Sequence, residues 1–390
     1  MKIALILILF LSNPIIGLGN TLSLLLLTVE QNNPRLIALQ KWLEAEETKA
    51  RTGIYPDNPE VNFNYLFGNP AAIGNQREIG IRQTIRLPGY YLSKSAVQQL
   101  NFRQMQVLAD AEKREVMHTV RSVYFRLVFL HQIAHFEKLR HNKAEKQVEL
   151  FTEGFATGEI SRLELKQARL HLVGVQTELQ STLSDIKVQT QHLIQLNGGI
   201  SIDNLAFEYP ADWLLPDLDA ALAKLEINNP QLGMARLNIR QTEEEIRHQH
   251  MVNLPLISAG YYSESILGQT LQGFQVGVTI PLWQNNNMLR HARIQHEWAK
   301  ANYSQQESEM NATVSGMYHE LITLLAGYLQ MKAVLEKEPD IMDNLELLRV
   351  CHISFTEYMV NAELIWAARI QFLQTEYEFF VLLSKLKTLL

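Results

Sequence analysis

Asn228-Asn229-Pro230-Gln231-Leu232 opens a polar helical run that ends in Pro255-Leu256-Ile257-Ser258-Ala259-Gly260-Tyr261. Roughly 196 positions earlier the chain carries Asn32-Asn33-Pro34-Arg35-Leu36, another polar helical run, and Pro59-Glu60-Val61-Asn62-Phe63-Asn64-Tyr65. The prolines, the alternating segment behind them and the closing tyrosine keep step without a gap. The chain is one unit written twice, a first repeat over 20–199 and a second over 228–390. Each repeat reads as a helix, a β-hairpin and a helical hairpin. Pro34 suits the first turn of a helix, where a missing N–H costs nothing.

The first β-hairpin is expected over 59–87. Val61, Phe63 and Tyr65 alternate with Glu60, Asn62 and Asn64; after a turn-rich loop, Ile79, Ile81, Ile85 and Leu87, interrupted by Gln83, alternate with Glu78, Gly80, Arg82, Thr84 and Arg86. The second, over 256–283, sets Ile257, Ala259 and Tyr261 against Ser258, Gly260 and Tyr262, then Phe274, Val276 and Val278 against Gln275, Gly277 and Thr279. Such segments are apolar on one side and polar on the other. They fit a soluble sheet with one face on a core, or a membrane barrel whose strands run about 9–11 residues. Two hairpins make only four strands, too few to close a barrel. A barrel would therefore be shared between several chains.

The first helical hairpin is expected over 90–197. Val116, Val120, Val123, Leu127, Leu130 and Ala134 recur at alternating spacings of about four and three, a heptad seam. A helix of about 60 residues would be on the order of 90 Å long, more than a soluble core of this size needs. Gly154-Phe155-Ala156-Thr157-Gly158 marks its tip, and the return helix should start near Glu159. The second helical hairpin, over 286–390, repeats the seam in Met317, Leu321, Leu324, Tyr328, Met331 and Leu335. Ala368-Arg369-Ile370 matches Ala168-Arg169-Leu170. Pro339 should kink or restart the second long helix. The second tip, His352 to Asn361, lacks both glycines, with Tyr358 where Gly158 stands. The stop at Leu390, short of a match to Leu196-Asn197-Gly198-Gly199, should loosen the last helix. Residues 200–227, turn-rich and aromatic, read as a patch packed on the helices.

A net charge of −6 gives no basic surplus, so nucleic acid is not an expected partner. The single cysteine, Cys351, excludes an internal disulfide framework. Lys2, the apolar run Ile3 to Leu11 and the small residues of Gly17-Leu18-Gly19 read as a cleaved signal peptide over 1–19. No cysteine follows it, so a lipid anchor there is not expected. No later stretch is long and apolar enough for a membrane helix. His296-Glu297 and His319-Glu320 lack the second histidine of a zinc-protease motif. Nucleophile elbows, phosphate loops and dinucleotide fingerprints are missing too. An enzyme is not expected, nor a cofactor or metal. The glutamate runs Glu44 to Glu47 and Glu243 to Glu245 read as solvated helix faces.

This duplicated plan resembles the TolC-type outer-membrane efflux channels nearly end to end. The residues that carry the resemblance are Asn33-Pro34 and Asn229-Pro230, the strand ends Ile85-Arg86-Leu87-Pro88-Gly89 and Val278-Thr279-Ile280-Pro281-Leu282-Trp283, and the tip Phe155-Ala156-Thr157-Gly158-Glu159-Ile160-Ser161 with Leu163, Leu165 and Ala168. The resemblance implies an α+β membrane protein acting as a homotrimer. Three pairs of hairpins would close a twelve-stranded β-barrel, continued by a periplasmic α-helical barrel. It implies a passive exit duct in the outer membrane, with a periplasmic adaptor and an inner-membrane pump of the RND or ABC type as partners. Adaptor docking and gating would fall on Glu153, Gly154, Thr157, Gly158, Glu159, Ser161 and Arg162, and on Glu357, Tyr358, Asn361 and Glu363. Asn62, Asn64, Arg82, Arg86 and Thr279 would face the lumen; Val61, Phe63, Tyr65, Ile257, Tyr261 and Val278 would face lipid. The alternative is a soluble periplasmic coiled-coil adaptor or scaffold. The cargo, whether drug, metal ion or peptide, is not legible.

Overall fold

A computed structural model of the chain describes residues 21–202, 206–210, 213–335 and 355–390. The expected signal peptide, Pro339 and Cys351 lie outside the described residues. In chain order the elements are α1 (Thr21–Asn32), α2 (Pro34–Ala50), β1 (Glu60–Leu66), β2 (Gln76–Ile85), α3 (Pro88–Thr157), α4 (Arg162–Leu196), α5 (Leu218–Asn228), α6 (Pro230–Val252), β3 (Leu256–Ile266), β4 (Gln269–Thr279), α7 (Met288–Leu335) and α8 (Phe355–Leu389). They divide into two compact units. One holds the chain up to Ile37, Val116–Leu215 and Met317–Thr388; the other holds Ala38–Glu115, Pro216–Gly316 and the last two residues.

In the helical unit the heptad seam of α3 is the core. Val116, Val120, Val123, Leu127 and Leu130 are all buried, each worth about 2 kcal/mol of apolar burial. The expected Ala134 is only half-buried. The seam steps instead to Ile133 and continues through Glu137, Arg140, Ala144, Gln147 and Phe151, all buried. One short step, from Leu130 to Ile133, shifts the heptad and puts a larger side chain than alanine inside. Phe129, Leu130 and Ile133 pack with Trp366 and Leu373 of α8. The aromatic segment before Leu215 covers the same region. Tyr209 stacks on Phe380 at 4.3 Å, Trp213 meets Phe379 edge-on at 4.7 Å, and Phe207 stacks on His131 at 4.9 Å. The hydroxyl of Tyr124 donates to the carbonyls of Ala206 and Glu208. The rest of the stretch is not all turn: Asp217 caps α5, whose Leu, Ala and Lys content favours a helix.

In the second unit the four strands form one antiparallel sheet in the order β1-β2-β3-β4. Pairing of β2 with β3 joins the two repeats. The glutamate runs are solvated faces with local pairs, among them Lys41–Glu44 at 2.8 Å and Arg247–Glu244 at 2.8 Å.

Each Asn-Pro does two jobs. The side-chain oxygen of Asn33 accepts from the N–H groups of Arg35 and Leu36 at 3.0 and 3.1 Å, capping α2, and its amide donates to the carbonyl of Leu196 at 2.7 Å. Asn229 accepts from the N–H of Leu232 at 3.1 Å, capping α6, and donates to the carbonyl of Leu389 at 3.0 Å. Both are almost fully buried. Aspartate or serine would cap as well, but neither could donate an amide proton to the carbonyl. This corrects the expected loose last helix. Residue Leu389 reaches the partner that matches the one Leu196 has, and α4 and α8 are each 35 residues long.

Asn33→Ala or Asn229→Ala should each cost about 2 kcal/mol, a lost cap plus an unpaired carbonyl. Asn→Ser should restore only the capping part. Melting temperatures that rank asparagine above serine above alanine at both positions would bear this out; equal values for serine and asparagine would contradict the double role.

Candidate functional site

Strand register decides which side chains share a face of the sheet. Val61 pairs with Ile81, Ile81 with Tyr261 and Tyr261 with Phe274, so these four lie in one row on one face. Phe63 and Ile79 belong to that face, as do Ile257 with Val278, Ala259 with Val276, and Ile85. On the opposite face Asn62, Gly80, Tyr262 and Gly273 form one row, and Asn64, Glu78, Glu264 and Leu271 the next. Arg82 and Thr279 share this polar face. Arg86 does not sit on a strand; it follows the end of β2, and its guanidinium lies over the ring of Tyr90 at 4.5 Å.

On the two inner strands the burial of the faces is largely reversed from that of a soluble sheet, with Arg82 and Tyr262 of the polar face also exposed, while β1 and nearly all of β4 are open on both faces. Along β2 and β3 the apolar residues Ile79, Ile81, Ile257 and Tyr261 are exposed, while the alternating Glu78, Gly80, Ser258 and Gly260 are partly covered. Phe274 is 91% exposed and Phe63 62%. Toward the hairpin turns this face becomes polar, in the row Tyr65, Arg77, Ser265 and Thr270. From Ile79 to Ile85 this stretch, apolar except for Gln83, spans roughly 20 Å along the strand. Among the described residues the outer edges of β1 and β4 have no strand partner.

Hydrogen bonds tie the polar face together. The amide of Gln76 donates to Glu78 at 2.8 Å and to Glu264 at 2.6 Å, and Asn64 donates to Glu78 at 3.0 Å. Facing glutamates on neighbouring strands repel, and one amide bridges them. Alternation alone did not reveal this trio, because it depends on the β2–β3 register.

At the first tip the return helix starts later than expected. Gly158 takes φ +84, a left-handed conformation that glycine adopts without strain. Its N–H donates to the carbonyl of Phe155 at 3.3 Å, and the N–H of Glu159 donates to the carbonyl of Gly154 at 2.8 Å. These two bonds are a Schellman ending of α3. A Cβ on Gly154 would lie 2.7 Å from Cγ1 of Ile160, so this glycine allows a close approach. Residues 158–161 are therefore the turn, and α4 begins at Arg162 behind a capping box. The N–H of Glu164 donates to the Ser161 hydroxyl at 3.2 Å, and the N–H of Ser161 to the Glu164 carboxylate at 2.9 Å. Bonds from the Ser161 side chain and backbone hold the Glu164 carboxyl below its ordinary range. Glu153, Thr157, Gly158, Glu159, Ser161 and Arg162 are all exposed here, with Phe155 and Leu163 as apolar neighbours.

Among the described residues the second tip looks different. Glu357, Tyr358, Asn361 and Glu363 already belong to α8, so Tyr358 does not occupy a turn as Gly158 does. The join between α7 and α8 lies outside the described residues. Burial raises the pKa of the Tyr358 hydroxyl. Glu363 accepts from buried Arg140 at 2.7 Å, and the same guanidinium reaches Glu178 of α4 at 2.8 Å. The three partners come from three helices, and no spacing along the chain announces them.

Among the described residues no cluster of three or more His, Cys, Asp or Glu could hold a metal ion, and no helix is long and apolar enough to cross a membrane. His131 and His135, one helical turn apart, stand on aromatic contacts to Phe207 and Phe136.

No protein-family model matches the chain, and no curated protein does. Solved structures do. CusC, known for transmembrane channel formation, superposes with a TM-score of 0.80 at 16% identity, over 95% of this chain and 92% of its own. The outer membrane protein VceC of Vibrio cholerae gives 0.77 at 15%, over 94% and 95%. The CmeC outer membrane channel of Campylobacter jejuni gives 0.72 at 15%, over 95% and 86%. The chain has the fold of these outer-membrane channels.

Proposed function

We propose that this chain is one third of an outer-membrane duct, the exit channel of a tripartite efflux system. The observation that carries the reading is the reversed sheet, with large apolar side chains in the open and polar ones partly covered. Apolar surface of this extent needs lipid or a partner protein to cover it, and the alternation of a membrane barrel puts it on the lipid side. The apolar stretch is close to the roughly 25 Å band such barrels carry. Tyr65 and Phe67 stand beyond one end of it, and the exposed Trp283 lies past the end of β4. These are the positions of interfacial aromatic girdles.

The free edges set the assembly. The edge of β4 in one copy pairs with β1 of the next, and three copies close twelve strands with no edge left over. Asn62, Asn64, Arg82 and Thr279 then line the lumen, with Arg86 just past the strand end. Val61, Phe63, Tyr65, Ile257, Tyr261 and Val278 meet lipid. The helices extend the duct into the periplasm as a passive path with no catalytic site. The exposed groups around Gly154 and Gly158 are the docking and gating tip for a periplasmic adaptor linked to an inner-membrane pump. Glu357, Tyr358, Asn361 and Glu363 take this role from within α8. A soluble scaffold would have to leave Phe274 and Phe63 in water, and nothing in the sheet favours that.

Phe63→Arg should destabilise the folded barrel by roughly 2–4 kcal/mol, the cost of a charge at the lipid midplane. Asn62→Arg, on the other face, should be nearly neutral. Unfolding in lipid vesicles measures both, and equal tolerance would remove the assignment of faces.

A further inference from the structure

The seam of α3 changes character halfway along. Up to Ile133 its buried positions are apolar; beyond, it passes through Glu137, Arg140 and Gln147, each less than 10% exposed. Thr182 of α4 hydrogen-bonds the carboxyl of Glu137, whose Oε2 has no hydrogen-bond partner among the described residues. Arg140 faces Glu178 and Glu363 at 2.8 and 2.7 Å and lies over the ring of Trp366 at 4.5 Å. One guanidinium thus pairs with two carboxylates from two other helices, and its charge also acts on Glu137. Glu178 and Glu363 are about half exposed and remain in contact with water. Glu137 is shut in, and an ionised carboxylate there would be neither hydrated nor fully paired.

We propose that Glu137 is a proton-controlled latch, which seats in the α3–α4–α8 seam when uncharged and loosens that seam when it ionises. The inference concerns the helical unit alone and does not require the duct reading. Burial raises the Glu137 pKa above its ordinary 4.5; the Thr182 hydrogen bond lowers it, the charge of Glu178 raises it further, and Arg140 lowers it least, so burial wins. The raised folded value means that the seam is most stable at and below the ordinary value. Stability falls as pH climbs through the raised one. His171 also senses Arg140, Glu178 and Glu363; burial lowers its pKa, so its protonation acts in the opposite sense. The latch is therefore read in the difference between wild type and a chain lacking only the Glu137 charge. If the chain is a duct, acid outside the cell would tighten its tip-ward helices and alkali would free them.

Hydrogen exchange of the full chain in detergent tests this, followed by mass spectrometry of peptides covering 137–151 and 165–182. Wild type is compared with Glu137→Gln at about pH 5 and about pH 8. Comparing the two proteins at the same pH cancels the intrinsic pH dependence of exchange. We expect the two to match at the lower pH and wild type to exchange several-fold faster at the higher. Glu178→Gln should move the onset of that difference to lower pH, and His171→Gln should leave the difference in place. Glu137→Met, close in size and without charge, should repeat the Glu137→Gln result and guards against a folding defect in either variant. A wild-type-to-variant ratio that is the same at both pH values would overturn the latch.

Discussion

A sheet in lipid cannot leave its backbone unpaired. Each N–H and C=O without a partner in the hydrocarbon costs several kcal/mol, so membrane-spanning strands must close on themselves. Here the described residues supply four strands with one apolar face and two edges that pair with no other described strand. That constraint turns a weak pattern of alternating residues into a statement about assembly. On the duct reading, neighbouring copies would supply the missing edges.

Duplication makes the closure workable with one gene product. Both repeats end their closing helix against the same device, an asparagine that caps the helix leading into the repeat's β-hairpin and holds the last carbonyl of its closing helix. A single side chain thereby couples a helix start to a distant helix end, in each repeat independently. Proline at the following position removes an N–H that the helix could not use. This double role accounts for Asn-Pro at the matching point of both repeats.

Much of the fold was legible because side-chain periods are rigid. A strand has a period of two, so the parity of Val61, Phe63 and Ile81 settled their common face before any register was known. The α3 seam was legible for five positions and then slipped, from Ala134 to Ile133, because a short step in the heptad leaves no mark in an apolar run. The tip was misplaced by three residues: Glu159 has good helix propensity, but a left-handed Gly158 and the cap at Ser161 hold it in the turn. The second tip was placed by analogy with the first, and the helix of Tyr358 does not follow that analogy. The Arg140 cluster was not legible at all. Its two carboxylates and the arginine come from three helices, and only packing brings them together.

The central claim is that the reversed sheet is a third of a shared barrel. Fractionation of cells followed by mass determination in mild detergent tests it most directly. The account predicts a particle of three chains that leaves the outer membrane only with detergent. A monomer in the soluble periplasmic fraction would contradict it, since the apolar face would then have to lie against something other than lipid.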